Sequence, residues 1–191
     1  MLAVPNGGVA VAEPLARQLG AVLKLLVVRK IQIPGNPEAG FGAVGAGGGR
    51  VLDQGLLAIL GLSPAQVEAQ SAKARESVRR RLAEYGEWAR LPPLTGRTLL
   101  LVDDGLASGS TMAAAVELVR AEKPARVVVA APTASARAVS RLKPLVDQLL
   151  TPHVEEGPSF AVASAYENWY DVSREEVSAI LTSLPKLQTG T

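Results

Sequence analysis

The chain has 191 residues, 48% of them hydrophobic but only 4% aromatic, and a formal net charge of +2. That length suits one domain with a sizeable core of Ala, Val and Leu, and so small a net charge does not demand a nucleic-acid partner. There is no cysteine and His153 is the single histidine, which excludes disulfides, thiolate metal sites and a histidine zinc cluster.

Leu2 to Val4 reads as the end of a strand, Gly7-Gly8 as a tight loop, and Val9 to Leu19 as a helix closed by Gly20. Ala21 to Val28 is a second apolar strand, followed by Arg29-Lys30. Residues 31–49 are rich in Gly and Pro and predict loops around a short strand centred on Ala43-Val44. Val51-Leu52 is placed to pair with it as a hairpin. Gly40-Phe41-Gly42-Ala43-Val44-Gly45 matches GxGxxG, but prolines precede it and more glycine follows, so the strand-and-helix context of a dinucleotide site is missing.

Leu56 to Leu60 is apolar, and Ser63-Pro64 then opens a long helix, with Ser as N-cap and Pro in the first turn, running to about Trp88. Val67, Ala74, Val78, Leu82 and Tyr85 share one face, and the run Arg79-Arg80-Arg81 reads as a solvated face. A buried strand ends at Val102, and a helix runs from Met112 to Ala121. Val127 to Ala131 is a strand, Ser135 to Leu142 a helix, and Val146 to Leu150 an edge strand. His153, next to Pro152, reads as a loop histidine. Ser173 to Ser183 is the last helix, opened by the capping box Ser173-Arg174-Glu175-Glu176.

Strands alternating with helices predict an α/β fold, a mainly parallel central sheet flanked by helices. One domain over residues 1–185 with a disordered tail at 186–191 is expected. No apolar run approaches the ~18 residues of a membrane span, and the start lacks the charged opening of a signal peptide. A soluble cytoplasmic protein, with no membrane or nucleic-acid partner, follows.

The chemistry concentrates in Leu99-Leu100-Leu101-Val102-Asp103-Asp104-Gly105-Leu106-Ala107-Ser108-Gly109-Ser110-Thr111. A buried strand delivers two adjacent carboxylates at its carboxyl end, where open α/β sheets bind ligands. The loop and helix start then offer N–H groups, hydroxyls and a positive dipole end to an anion. Two acids beside a phosphate cradle repel that phosphate unless they bind something else, such as ribose hydroxyls or a metal. The combination points to a sugar phosphate. The plainer reading is a strand-turn-helix with Ser110 as N-cap and solvated acids.

These thirteen residues resemble the ribose-phosphate signature of the type I phosphoribosyltransferases. The resemblance implies that Asp103 and Asp104 hold the 2′ and 3′ hydroxyls of phosphoribosyl pyrophosphate. Ala107, Ser108, Gly109, Ser110 and Thr111 would wrap its 5′-phosphate. Asn6-Gly7-Gly8 is similar to the family's pyrophosphate loop, which in related proteins reads Pro-Arg-Gly-Gly, and Lys30 is a further pyrophosphate candidate. Asn6 thus replaces an arginine, and Asn6→Arg is expected to tighten pyrophosphate binding. Tyr85-Gly86 stands where relatives carry an arginine after the tyrosine, and Arg90 and Arg97 are the nearest candidates for basic residues closing over the diphosphate. Tyr166 and Trp169 are candidates for stacking on a base, with the C-terminal segment and a small loop-rich hairpin as hood.

The resemblance also implies magnesium brought by the substrate rather than held by the protein, a nitrogen acceptor, and a fold compatible with a homodimer. Ala107 occupies the position where the 6-oxopurine enzymes carry an acid, which argues against that branch and leaves adenine, orotate, uracil or a non-nucleobase amine. The alternative is a non-catalytic regulator that binds the same ligand. A phosphatase or sugar-phosphate hydrolase lacks a nucleophile in a convincing setting.

Overall fold

The computed structural model describes residues 1–157 and 160–184; the expected tail at 186–191 lies outside them. The chain begins with β1 (Leu2–Ala3), α1 (Gly7–Leu19) and β2 (Lys24–Leu25). A hairpin region follows, comprising β3 (Val28–Ile33), β4 (Asn36–Gly45) and β5 (Arg50–Leu52). Then come α2 (Gln54–Leu60) and α3 (Pro64–Tyr85), which a 3-10 turn over Gly86–Ala89 prolongs. The second half holds β6 (Thr98–Val102), α4 (Ser110–Arg120), β7 (Arg126–Ala130), β8 (Thr133–Ser135) and α5 (Ala136–Leu142). It closes with β9 (Gln148–Leu150), β10 (His153–Glu155) and α6 (Arg174–Ser183).

Five strands form a central sheet in the order β2-β1-β6-β7-β9, every pairing parallel. Period-two alternation splits its side chains between two cores. Leu99, Leu101, Val127 and Val129 pack with Met112 and Val116 of α4 and Leu142 of α5. On the other face Ala3, Leu25 and Val102 pack with Val9 and Ala12 of α1 and Val177 and Leu181 of α6. Each fully buried Leu or Val contributes roughly 1.5–3 kcal/mol, so the near-continuous apolar run of β6 reflects burial on both faces.

The sheet explains where a site can form. From β1 the chain crosses through α1 to β2 on one side, whereas from β6 it crosses through α4 to β7 on the other. β1 and β6 are neighbours, with Leu2 opposite Leu101 and Ala3 opposite Val102. Their diverging connections leave a crevice at their carboxyl ends, the topological switch point of an open α/β sheet. Asn6-Gly7-Gly8 and Asp103-Asp104 sit there together.

Local signals account for most ends. Gly20 caps α1 in the left-handed region, Ser63 and Ser173 form full capping boxes, and Ser135 caps α5. Three expectations are corrected. The apolar run over 21–28 is not one strand: β2 stays in the parallel sheet, and β3 leaves it for a separate antiparallel sheet of order β3-β4-β5. Residues 31–49 are largely strand, because Pro34 and Gly35 make the turn of a long hairpin and the glycines of β4 let neighbours close in. A Cβ on Gly42 would press on the main-chain oxygen of Val51, and one on Gly45 would lie 2.8 Å from Leu118. Finally, His153 is in a strand, β10, which pairs with β8; it is exposed, with Nε2 4.0 Å from Glu155. Among the described residues no helix is long and apolar enough to cross a membrane.

Candidate active site

The two loops at the switch point touch. A Cβ added to Gly7 would run into the Asp104 carboxylate, and one added to Gly8 would lie 2.7 Å from the Val102 carbonyl and 2.9 Å from the Asp103 Cα. Glycine is required at position 8 by close approach, since both obstacles are main chain and cannot swing aside. Gly8→Ala is expected to cost about 1 kcal/mol net. Overpacking typically costs about 1–3 kcal/mol and outweighs the ~1 kcal/mol that alanine gains as a helix former. Chemical denaturation of the variant checks this, and stability equal to or above the parent's would show that the loops can part.

Asp103 and Asp104 are half-buried at the mouth of this crevice, and among the described residues neither has a cationic partner within ion-pair distance. The Asp104 N–H donates to Asp103 Oδ1 at 3.0 Å. Burial, reinforced by the charge of Asp104, holds the Asp103 carboxyl well above the usual carboxylate range. Burial also raises Asp104, opposed by its hydrogen bonds and aided by the charge of Asp171. Such a pair is poised for a partner that donates hydrogen bonds or brings positive charge. Vicinal hydroxyls do the first and a hard divalent ion the second. Among the described residues no three His, Asp or Glu side chains converge to hold a metal by themselves.

The loop after the acids is anchored from behind. Leu106 bridges to Ala134 beside β8, its N–H donating to Thr133 and its carbonyl accepting from the Ser135 N–H, both at 3.0 Å. Ser135 Oγ donates to the Ala107 carbonyl. Ser110 does not serve as N-cap. Gly109 takes that place with φ +68° and has no side chain to cap with, so the Ser110 N–H that opens α4 donates to Ser108 Oγ at 3.3 Å. Ser108 and Ser110 instead bond each other through their hydroxyls at 2.7 Å. Ala107, Ser108 and Thr111 are exposed, so the loop presents amides and hydroxyls outward. Gly109 is buried, and a Cβ there would lie 3.1 Å from the Cα of Ala138. Glycine is needed at 109 by its positive φ and by α5 behind it.

Lys30 and Arg29, adjacent on β3, face opposite ways. Lys30 lines a cleft of about 350 Å³ between the hairpin sheet and α4, with Phe41, Asp53, Ser110, Thr111 and Arg141. It therefore faces the end of the 107–111 loop. Arg29 lies on the α3 side, where Arg81 and Tyr85 act on it electrostatically.

Asn6 is the centre of that second cluster. Its Oδ1 accepts from the Tyr85 hydroxyl at 2.8 Å and from Arg81 at 3.3 Å, and its Nδ2 donates to the Val172 carbonyl at 2.8 Å. The reading of Arg79-Arg80-Arg81 as a solvated face is thus corrected for its last member. Arg79 pairs with Glu76 and Arg80 is exposed, whereas Arg81 turns inward. Helical spacing carried the signal: Arg81 is four residues before Tyr85, on the buried face of α3. Arg90 pairs with Glu87 in an exposed contact, and Arg97 is exposed.

The segment before α6 covers the acids. The Tyr166 hydroxyl donates to the Asp104 carbonyl at 2.6 Å. Val162 packs where a Cβ on Gly105 would fall, and the Tyr166 and Trp169 rings lie 5.1 Å apart, tilted by 58°. Trp169 is 39% exposed, which leaves ring surface free beside Tyr166.

A family model described as "Phosphoribosyl transferase domain" matches residues 1–162. Two Mycobacterium tuberculosis proteins, named "Putative phosphoribosyl transferase MT0597" and "Putative phosphoribosyl transferase Rv0571c", are 38% identical over 184 residues, which is 95% of this chain. The chain spans 41% of the length of these curated relatives. The crystal structure of TT1426 from Thermus thermophilus is 40% identical and superposes with a TM-score of 0.82, over 94% of this chain and 85% of that one. With a family match over most of its length and strand-end acids set against a glycine loop at the switch point, the chain belongs to the phosphoribosyl transferase domain family.

Proposed function

We propose that this chain binds phosphoribosyl pyrophosphate and transfers its phosphoribosyl group to a nitrogen nucleophile. The observation that carries the reading is the contact between Gly7-Gly8 and Asp103-Asp104, which puts a cation-free acid pair beside two anion-binding loops. In the reaction the C1′–O bond to diphosphate breaks and a C1′–N bond forms. The electron pair leaves with diphosphate, and the acceptor nitrogen gives up a proton. Asp103 and Asp104 hold the 2′ and 3′ hydroxyls, and the 107–111 loop with the α4 amides holds the 5′-phosphate. Fixing the ribose at both ends supplies the orientation on which such displacements depend.

Magnesium fits as an ion carried by the diphosphate, because the acids are hard oxygen donors without a cation while no third ligand joins them among the described residues. When bound it supplies charge neutralisation on the leaving group. Tyr166 and Trp169 offer a face on which an acceptor base can stack. Ala107 leaves its loop position without a carboxylate, which favours acceptors other than 6-oxopurines.

The test is pyrophosphate release from phosphoribosyl pyrophosphate with magnesium and a panel of adenine, orotate, uracil and simple amines. Release dependent on one acceptor is expected. Tight ligand binding without release for any acceptor supports a regulator instead. Absence of binding removes both.

A further inference from the structure

Two half-buried guanidinium groups stand beside the β1–α1 loop without an anion. Arg29 Nε is buried and has no hydrogen-bond partner among the described residues. Arg81 gives one bond, to the neutral Asn6 side chain. No carboxylate among the described residues lies within ion-pair distance of either. Glu84, the acid that acts on Arg29, is bonded to Arg174 at 3.2 Å. Holding like charges together away from water is unfavourable unless an anion joins them. Here burial and the charge of Arg81 both disfavour the protonated form of Arg29.

The fold keeps the pair in place. α3 packs along β3, so Arg81 and Arg29 come from two rigid elements. Asn6 accepts from Arg81 and Tyr85 together, which aims the guanidinium at the loop. The next residue, Gly7, lies on Asp104. Cations and acids therefore flank consecutive residues of one loop, within the span of a single sugar diphosphate. Hydroxyls suit the acid end, and only the arginine end suits the anion. Planar forks matching phosphoryl oxygens bidentately make arginine the apt residue for it.

We infer that Arg29 and Arg81, set by Asn6 and Tyr85 beside the β1–α1 loop, are the cationic half of a diphosphate site. This rests on the phosphoribosyl pyrophosphate reading and deepens it. The positive charge absent from position 6 is supplied by a strand and a helix instead.

Calorimetric titration of the full chain with inorganic diphosphate, and separately with ribose 5-phosphate, tests it. Arg81→Gln is expected to weaken diphosphate binding 10-fold or more at low salt and to flatten its salt dependence. Ribose 5-phosphate affinity should stay within about twofold, since losing a diphosphate contact leaves the acid and phosphate loops intact. Arg81→Lys should recover part of the loss, and Arg29→Gln, which spares the Asn6–Arg81 bond, should reproduce it. Equal diphosphate affinity in parent and Arg81→Gln, with ribose 5-phosphate still bound, overturns the arginine assignment and leaves the phosphoribosyl reading standing. Arginine-dependent diphosphate binding without ribose 5-phosphate binding does the reverse. No diphosphate binding by the parent overturns the assignment. Should the variants fail to fold, crystals of the parent grown with diphosphate decide. Diphosphate on Arg29 and Arg81 supports the assignment; diphosphate elsewhere, or none, overturns it.

Discussion

Asp103→Asn is expected to stabilise the unliganded protein while weakening the ribose phosphate binding proposed for it. The two effects share one cause. Burial and the neighbouring charge of Asp104 raise the Asp103 carboxyl, so ionising it in the folded state is unfavourable. A carboxyl raised on folding contributes stability that is complete below the ordinary carboxylate pKa and is lost as pH rises through the raised value. That contribution shrinks as pH climbs from the ordinary carboxylate range toward the raised value, and asparagine removes the ionisation altogether. Each kcal/mol relieved raises Tm by roughly 2–4 °C in a domain of this size. Asp104→Asn works in the same direction, because burial raises that carboxyl also. Binding moves oppositely: a hydrogen bond to a charged group contributes about 1.5–3 kcal/mol, or roughly 10- to 150-fold in affinity. Thermal melts from pH 4 to 8, paired with titrations of ribose 5-phosphate, check both. Against parent protein, the variant should show a flatter melting profile across that pH range. Unchanged affinity would remove the acids from the ribose site.

Asn6→Arg is expected to destabilise the protein and to weaken diphosphate binding, contrary to what the missing charge alone suggests. The asparagine is a junction rather than a gap. Its oxygen accepts from Tyr85 and Arg81, and its amide donates to Val172. Arginine has no acceptor to offer, leaves the Tyr85 hydroxyl unpaired, and adds a third cation beside Arg29 and Arg81. The loss should be roughly 2–4 kcal/mol, the scale of an unsatisfied polar group combined with uncompensated charge. Urea denaturation of parent and variant measures it, and low-salt titration with diphosphate gives the second readout. A variant as stable as the parent that binds diphosphate more tightly would show that the site had room and need for another charge.

Much of this could be read from local pattern. The order of strands and helices, the capping residues and the placing of Asp103-Asp104 on a strand end all depend on interactions within a few residues, and periodicity and capping report those directly. The carboxylates, the glycines of the first loop and the hydroxyl-rich 107–111 segment were legible because strand-loop-helix units write their chemistry contiguously. The pairing of the Ala43-Val44 strand with Val51-Leu52 was legible too, but the long β3–β4 hairpin was not. Its glycines look like turn residues until a neighbouring strand presses against them at Gly42, or Leu118 of α4 at Gly45. Likewise the apolar run at 21–28 cannot show by composition that β3 leaves one sheet for another.

The amino-acid sequence by itself determined which groups are available: an acid pair, two glycine loops, a basic helix and a C-terminal aromatic cluster. Only the tertiary structure decided which of them meet. Parallel pairing of β1 with β6 brings Gly7 onto Asp104 across about 100 residues of chain. Packing of α3 on β3 turns Arg81 inward while Arg79 and Arg80 stay in solvent. A side chain's exposure, and hence its carboxyl or guanidinium energetics, depends on what the rest of the chain lays over it, and no local pattern carries that information.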